Sequence, residues 1–227
     1  YVQLPGTAEA PGEWVTAGRV ELSAAMGGAV SAVGNFRYAP SYVARPDALA
    51  LDPIGLARLE AGLTYPVWRY GGLADVVRDA CPDGWGRHLL QRAGKLSSNA
   101  SDFEVALASS NSDRWGAICL GSGKQPSLAL MKQPRLARLD ELLTEIELLQ
   151  RFEPAANALL RKQLLERQSV GGARPKVTLR EGDSHWIAKP LERDDVRDVP
   201  ALEHATLQLA ARLGLNLRQM RYRMMRL

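Results

Sequence analysis

Ser169-Val-Gly-Gly-Ala-Arg-Pro-Lys176 joins a predicted helix to a predicted strand. Two adjacent glycines let the backbone approach a ligand closely and present N–H groups that can bind an anion. The stretch does not have the Gly-x-x-x-x-Gly-Lys-Ser/Thr pattern of a P-loop, which opens a helix. Its glycines precede a strand, as in the glycine-rich loop that covers the phosphates in protein kinases. Taken alone, a Gly-Gly turn that enters a hairpin is more often structural.

Two charged residues follow this stretch in an order that a kinase uses. Trp186-Ile-Ala-Lys189 places Lys189 at the end of an apolar strand, and lysine is a mobile point charge suited to a nucleotide phosphate. Glu203 lies on the next predicted helix, where a kinase has the glutamate that pairs with that lysine. Either residue alone is more simply a solvated surface charge. The order of loop, strand, lysine and helix glutamate favours a phosphate-binding site.

Outside this region the hydrophobic pattern predicts an α+β chain. Near-alternation of apolar and polar residues indicates strands over 14–22 and 30–38, and helical spacing over 73–93 is broken by a turn at Pro82-Asp83-Gly84. Further elements are predicted as helices at 136–149 and 155–167, strands at 176–179 and 185–188, and a last helix with Asp198 as its N-cap. We predict that residues 1–133 form a small β-rich N-terminal subdomain, and that residues 134–227 contain a helical connection and a kinase-like N-lobe.

Composition limits the function classes. A chain of 227 residues can bury a sizeable core, and it has no run of about 18 apolar residues, so no membrane-spanning helix is predicted. Two cysteines are too few for a disulfide framework, which favours reduced thiols and the cytoplasm. The three histidines are scattered, so no metal site is assigned within the chain. A net charge of +4 permits contact with nucleic acid without requiring it.

Several motifs together resemble the HipA family of toxin kinases. The stretch Ser169–Lys176 is similar to the family signature, and Trp186-Ile-Ala-Lys189, followed by Asp198-Val-Pro and Glu203, resembles what comes after it there. Upstream, the resemblance continues in Phe36-Arg-Tyr, Tyr42-Val-Ala-Arg-Pro-Asp-Ala, Cys81-Pro-Asp-Gly-Trp-Gly-Arg-His-Leu-Leu and Arg114-Trp-Gly-Ala-Ile. The likeness runs over essentially the whole chain, which therefore resembles the N-terminal portion of such a kinase.

The resemblance implies an atypical serine/threonine kinase that uses ATP and Mg²⁺ to phosphorylate a protein linked to translation. It also implies an HTH antitoxin of the HipB type, through which contact with operator DNA would mainly occur. Ser169 matches the autophosphorylated regulatory serine, whose modification expels the glycine-rich loop. The ATP-binding residues implied by the resemblance are Val170, Gly171, Gly172, Ala173, Arg174, Lys189 and Glu203.

The catalytic residues of such a kinase are expected outside this chain. Kinase chemistry needs one Asp beside the substrate hydroxyl and a second Asp on Mg²⁺, and in the HipA family both lie well downstream of the helix glutamate. Residues 214–227 contain no Asp or Glu. We therefore expect the kinase C-lobe to be absent from this chain, and the 227-residue chain alone to be inactive as a kinase.

Two other functions stay open from the sequence. A natural short HipA-like protein could bind an antitoxin or a nucleotide without phosphorylating anything, and the encoded sequence beyond Leu227 would discriminate. A nucleic-acid-binding module would depend on the arginines of 218–226, for which a solvated strand face is the simpler interpretation. In the block Pro82–Arg87, Asp83 and Arg87 belong either to a partner-facing surface or to a turn with a local ion pair.

Overall fold

The computed structural model describes residues 1–5, 13–23, 33–111, 114, 116–125, 134–166, 171–217 and 221. Its strands are β1 (Val2–Pro5), β2 (Trp14–Ser23), β3 (Val33–Tyr38), β4 (Tyr65–Val67), β5 (Cys119–Leu120), β6 (Val177–Glu181) and β7 (Ser184–Ala188). Its α-helices are α1 (Pro40–Val43), α2 (Asp75–Asp79), α3 (Gly84–Arg92), α4 (Asp102–Ala108), α5 (Leu139–Gln150), α6 (Ala158–Glu166) and α7 (Val199–Arg212). Single 3₁₀ turns occupy Arg69–Gly71 and Leu136–Arg138. The predicted α+β class is confirmed.

The N-terminal half is built on a five-stranded antiparallel sheet with the order β4-β3-β2-β1-β5. Alternate residues of β3 are buried, as the period of two in a strand requires, and among them Phe36 and Tyr38 form an edge-to-face aromatic pair with centroids 5.0 Å apart. Side chains from all of the first four helices join this first hydrophobic cluster, among them Tyr42, Val77, Leu90 and Val105.

A second hydrophobic cluster lies around α5 and α6. Leu142, Ile146 and Leu149 of α5 pack against Leu160 and Leu164 of α6. The hairpin β6–β7 adds Val177 and Leu179, and its two-residue turn contains Gly182 with a φ of +58°. Here the predicted order of two helices followed by a strand-turn-strand unit is confirmed.

Helix α3 contributes to both clusters. Leu90 is buried in the first cluster, whereas Trp85 and Leu89 are buried in the second. Neighbouring residues on a helix point about 100° apart, so one short helix presents a side to each cluster. The division of the chain at residue 133 stays a prediction, because α3 precedes that position and packs on both sides of it.

The structure also tests the predicted ends and caps of several helices. The predicted helical break is confirmed as the gap between α2 and α3, but it covers residues 80–83 and Gly84 already belongs to α3. Asp198 caps α7 by accepting from the Ala201 N–H at 2.9 Å. Helix α4 was not predicted, although Ser101 and Glu104 form a capping box at its start. The expected strand residues 30–32 and 218–220, like 222–227, lie outside the described residues.

Both cysteines are free and buried. Burial raises the pKa of the Cys81 thiol to about 11, so this thiol stays protonated near neutral pH. Among the helices that the structure describes, none is long and apolar enough to cross a membrane.

Two neighbouring leucines of α6 test the second cluster. Leu160 is 0% exposed and Leu159 is 58% exposed. We expect Leu160→Ala to lower the free energy of unfolding by roughly 2–5 kcal/mol, because it leaves a cavity in the core. Leu159→Ala, the control with the same chemical change, should stay within about 0.5 kcal/mol. Urea unfolding followed by far-UV circular dichroism measures both, and equal losses would contradict the assigned packing.

Candidate functional site

A pocket of about 260 Å³ lies between the glycine-rich loop and the start of α7. Residues 172–174 of the loop line one side, together with Lys176. Lys189 and Pro190, directly after β7, line the next side, and the first two turns of α7 close the pocket with Val199, Pro200 and Glu203. The pocket is therefore lined by loop residues and by several charged side chains.

Lys189 and Glu203 form an ion pair between their Nζ and Oε1 atoms. Strand β7 ends just before Lys189, so the lysine leaves the hairpin toward the pocket, and Glu203 lies on the helix that follows. Both side chains are partly exposed, at 48% and 41%. An ion pair of this exposure adds little to folding, and both charges remain reachable for a ligand.

The Arg174 side chain is bound by a separate acidic segment. Its Nη1 donates to Asp195 Oδ1 at 2.8 Å, and its Nε lies 3.2 Å from Glu192 Oε1. The hydrogen bond from Arg174 holds the pKa of the Asp195 carboxyl below its usual value. Arg174 thus anchors the end of the loop to residues 192–195.

Lys176 lines the pocket but was not predicted from the sequence to bind a ligand. Its Nζ donates to the Gly171 carbonyl at 2.5 Å. Burial lowers the pKa of the Lys176 ammonium, and the positive charges of Lys189 and Arg174 lower it further, while Asp83 acts in the opposite direction. Its place at the end of the glycine-rich stretch is the signal that could have identified it.

The loop is bound to the first turn of α3. The Gly172 N–H donates to the Asp83 carboxylate, and the Trp85 N–H donates back to the Gly172 carbonyl at 2.9 Å. The Trp85 indole Nε1–H donates to the Lys176 carbonyl, also at 2.9 Å. The block Pro82–Arg87 is therefore a docking surface for the chain's own loop, which sequence reasoning did not find.

The alternative of a local ion pair between Asp83 and Arg87 is not what the structure has. The Arg87 guanidinium donates to Asp102 Oδ1 at 3.0 Å and to the Ala100 carbonyl. Asp83 faces the loop, since its carboxylate accepts from the Gly172 N–H.

Gly84 permits this close approach. A Cβ atom at that position would lie 2.6 Å from the Cα of Ala173 and 2.9 Å from the Gly172 carbonyl oxygen. Both are backbone atoms, which cannot rotate away as a side chain would. Gly172 itself has a φ of +94°, in the region that favours glycine.

The charged side chains that line the pocket are two ammonium groups, one guanidinium and the Glu203 carboxylate. The cationic groups among them are donors of the kind that suit phosphate oxygens. Within the residues that the structure describes, no group of three His, Cys, Asp or Glu side chains is placed to hold a metal ion. Ser169 and Val170 lie outside the described residues.

Residues 168–226 match the family described as the HipA-like C-terminal domain. The matched region contains the glycine-rich loop, the β6–β7 hairpin and α7, and so each of the residues described above as lining the pocket. The match supports a relationship to the HipA family, although it covers less than half of the chain. No curated protein matches the sequence.

The contact between the loop and α3 can be tested at Gly84. The Trp85 amide lies in the first turn of α3 and is bonded to the Gly172 carbonyl instead of a helical partner. We expect Gly84→Ala to displace the loop and to accelerate exchange of this amide about 2- to 10-fold, the equivalent of one net hydrogen bond of roughly 0.5–1.5 kcal/mol.

Hydrogen exchange followed by NMR is the measurement. The control is Gly121→Ala, where an added Cβ would approach nothing closer than 4.0 Å. Unchanged protection of the Trp85 amide in Gly84→Ala would contradict the described contact.

Proposed function

We propose that this chain carries the nucleotide-binding part of a HipA-like toxin kinase that phosphorylates Ser or Thr on a protein target. The observation that carries the proposal is the Lys189–Glu203 ion pair, which borders the same pocket as the glycine-rich loop and falls inside the region matching the HipA-like C-terminal domain. A lysine, a helix glutamate and a loop of this kind are the parts that a kinase uses to hold ATP.

The donors in the pocket fit the phosphates of ATP. Lys189 is proposed to contact the α- or β-phosphate, and Glu203 holds the lysine at the pocket while it is unligated. The loop residues 171–174 are proposed to cover the phosphates with their N–H groups. Arg174, bound to the 192–195 segment, is proposed to fix the far end of the loop instead of contacting phosphate.

The remaining parts of the proposal come from the family resemblance. ATP is proposed to bind with Mg²⁺, and the base and metal-binding Asp residues are proposed to belong to the complete protein. The target is proposed to be a protein linked to translation, and the neutralising partner an HTH antitoxin of the HipB type, which would provide most contact with operator DNA. The two buried, free cysteines fit a reducing compartment, and we propose the cytoplasm.

The first test concerns Lys189. We expect Lys189→Ala in the complete protein to weaken ATP binding about 10- to 150-fold, because a hydrogen bond to a charged group contributes roughly 1.5–3 kcal/mol. Titration calorimetry measures the affinity. Lys162→Ala is the control, since Lys162 is 68% exposed on α6 and pairs only loosely with Glu166 at 3.9 Å. Unchanged ATP affinity in Lys189→Ala would reject the proposed role.

The second test concerns Ser169, which precedes the described part of the loop. If the loop cradles phosphates, a negative charge two residues before Gly171 competes for the same N–H groups and repels the nucleotide. We expect Ser169→Asp in the complete protein to bind ATP several-fold more weakly, with Ser169→Ala close to wild type. Phosphate on Ser169, detected by mass spectrometry after incubation with ATP and Mg²⁺, is also expected.

Equal ATP affinity for the Asp and Ala variants, with no phosphate found on Ser169, would remove the regulatory role from this residue. It would leave the Lys189 assignment standing, because the two residues are tested independently.

A further inference from the structure

Asp83 occupies the N-cap position of α3 but does not cap the helix. An Asp at this position ordinarily accepts a hydrogen bond from an N–H of the first helical turn. Here the Asp83 side chain makes no cap hydrogen bond, and its Oδ1 accepts from the Gly172 N–H of the glycine-rich loop instead. The carboxylate is thus used by the loop and not by its own helix.

The Gly172 N–H is the kind of donor that a phosphate oxygen would need. Adjacent glycines with one positive φ turn successive N–H groups toward a common anion. The atom that holds this N–H is a carboxylate oxygen, which is also an anionic acceptor. An anion supplied by the chain itself therefore occupies a donor that a ligand anion could otherwise use.

Neighbouring contacts keep Asp83 at the loop. The missing Cβ of Gly84 lets α3 approach Ala173, and Trp85 donates from its backbone to Gly172 and from its indole to Lys176. Trp85 is only 4% exposed, so its indole donor is held in a fixed position. The Asp83 charge also faces Lys176, one of the two ammonium groups that line the pocket.

We propose that Asp83 is an internal competitor of the nucleotide: its carboxylate holds the Gly172 N–H and opposes phosphate binding until a ligand displaces it. The proposal rests on the nucleotide-binding function proposed above. It gives the N-terminal part of the chain control over the affinity of the pocket, because any partner that draws the first turn of α3 away from the loop frees this N–H.

The rival account is that Asp83 only positions the loop. Asp83→Asn separates the two accounts, because asparagine keeps an acceptor oxygen and remains a good N-cap residue while it removes the charge. Asp83 is exposed, so this variant is expected to fold. Glu60→Gln is the matched control, since it removes one negative charge from an exposed pair with Arg58 and Glu60 is not one of the pocket-lining residues.

The experiment measures ADP affinity of the complete protein by titration calorimetry, in the presence of Mg²⁺, for the wild type, Asp83→Asn, Glu60→Gln and Lys189→Ala. We expect Asp83→Asn to bind ADP about 3- to 10-fold more tightly than the wild type, because a like charge beside the phosphates is removed. Glu60→Gln should bind like the wild type, and Lys189→Ala more weakly.

Equal or weaker ADP binding by Asp83→Asn, with the wild type binding and Lys189→Ala impaired, would overturn the competition while the proposed nucleotide site stands. ADP binding by neither the wild type nor Asp83→Asn would overturn both the nucleotide site and the competition that depends on it.

Discussion

The hydrogen bonds between the first turn of α3 and residues 172–176 determine where the glycine-rich loop lies. Trp85 makes two of them, one from its amide and one from its indole nitrogen, and its ring is buried in the second hydrophobic cluster. Because packing fixes the indole, the Nε1–H cannot follow the loop if the loop moves. Displacing the loop would leave the Lys176 carbonyl and the indole N–H to find new partners, which is costly for a half-buried pair.

The position of the first turn of α3 depends on the N-terminal sheet. Leu90 packs under the sheet in the first cluster, so the axis of α3 is set there. Asp102 at the start of α4 reinforces the arrangement, since it lies within ion-pair distance of Arg87 on α3 and of Arg78 on α2, at 3.0 and 3.3 Å. Helices α2, α3 and α4 together link the sheet to the loop at the edge of the pocket. The proposed binding site is thus supported by a part of the chain that lies outside the described residues lining it.

Local patterns in the sequence predicted the elements that line the pocket, and distant contacts could not be predicted. The hairpin and the capped helix α7 follow from strand and helix periods within one short stretch, and the Lys189–Glu203 pair was expected from the order of loop, strand, lysine and helix glutamate in a kinase. The contact of Asp83 with Gly172 joins residues 89 positions apart, and no period or motif encodes which turn meets which loop. Helix α4 was missed for a different reason, because seven residues give too short a periodic signal. The residues of its capping box could nevertheless be recognised in the sequence.

The charges around the pocket are not equivalent, and the difference bears on which of them can attract a phosphate. Arg174 is bonded to Asp195 and lies beside Glu192, so its charge is largely cancelled at a distance. Lys189 shares its charge with one glutamate on the facing helix. Lys176 bonds to a carbonyl oxygen, which is a dipole and leaves the unit charge in place. The partial burial that lowers the pKa of Lys176 also weakens the solvent screening of its field. Lys176 therefore differs from the other two cations: its hydrogen bond goes to a neutral carbonyl oxygen, while the negative charge of Asp83 acts on it through space.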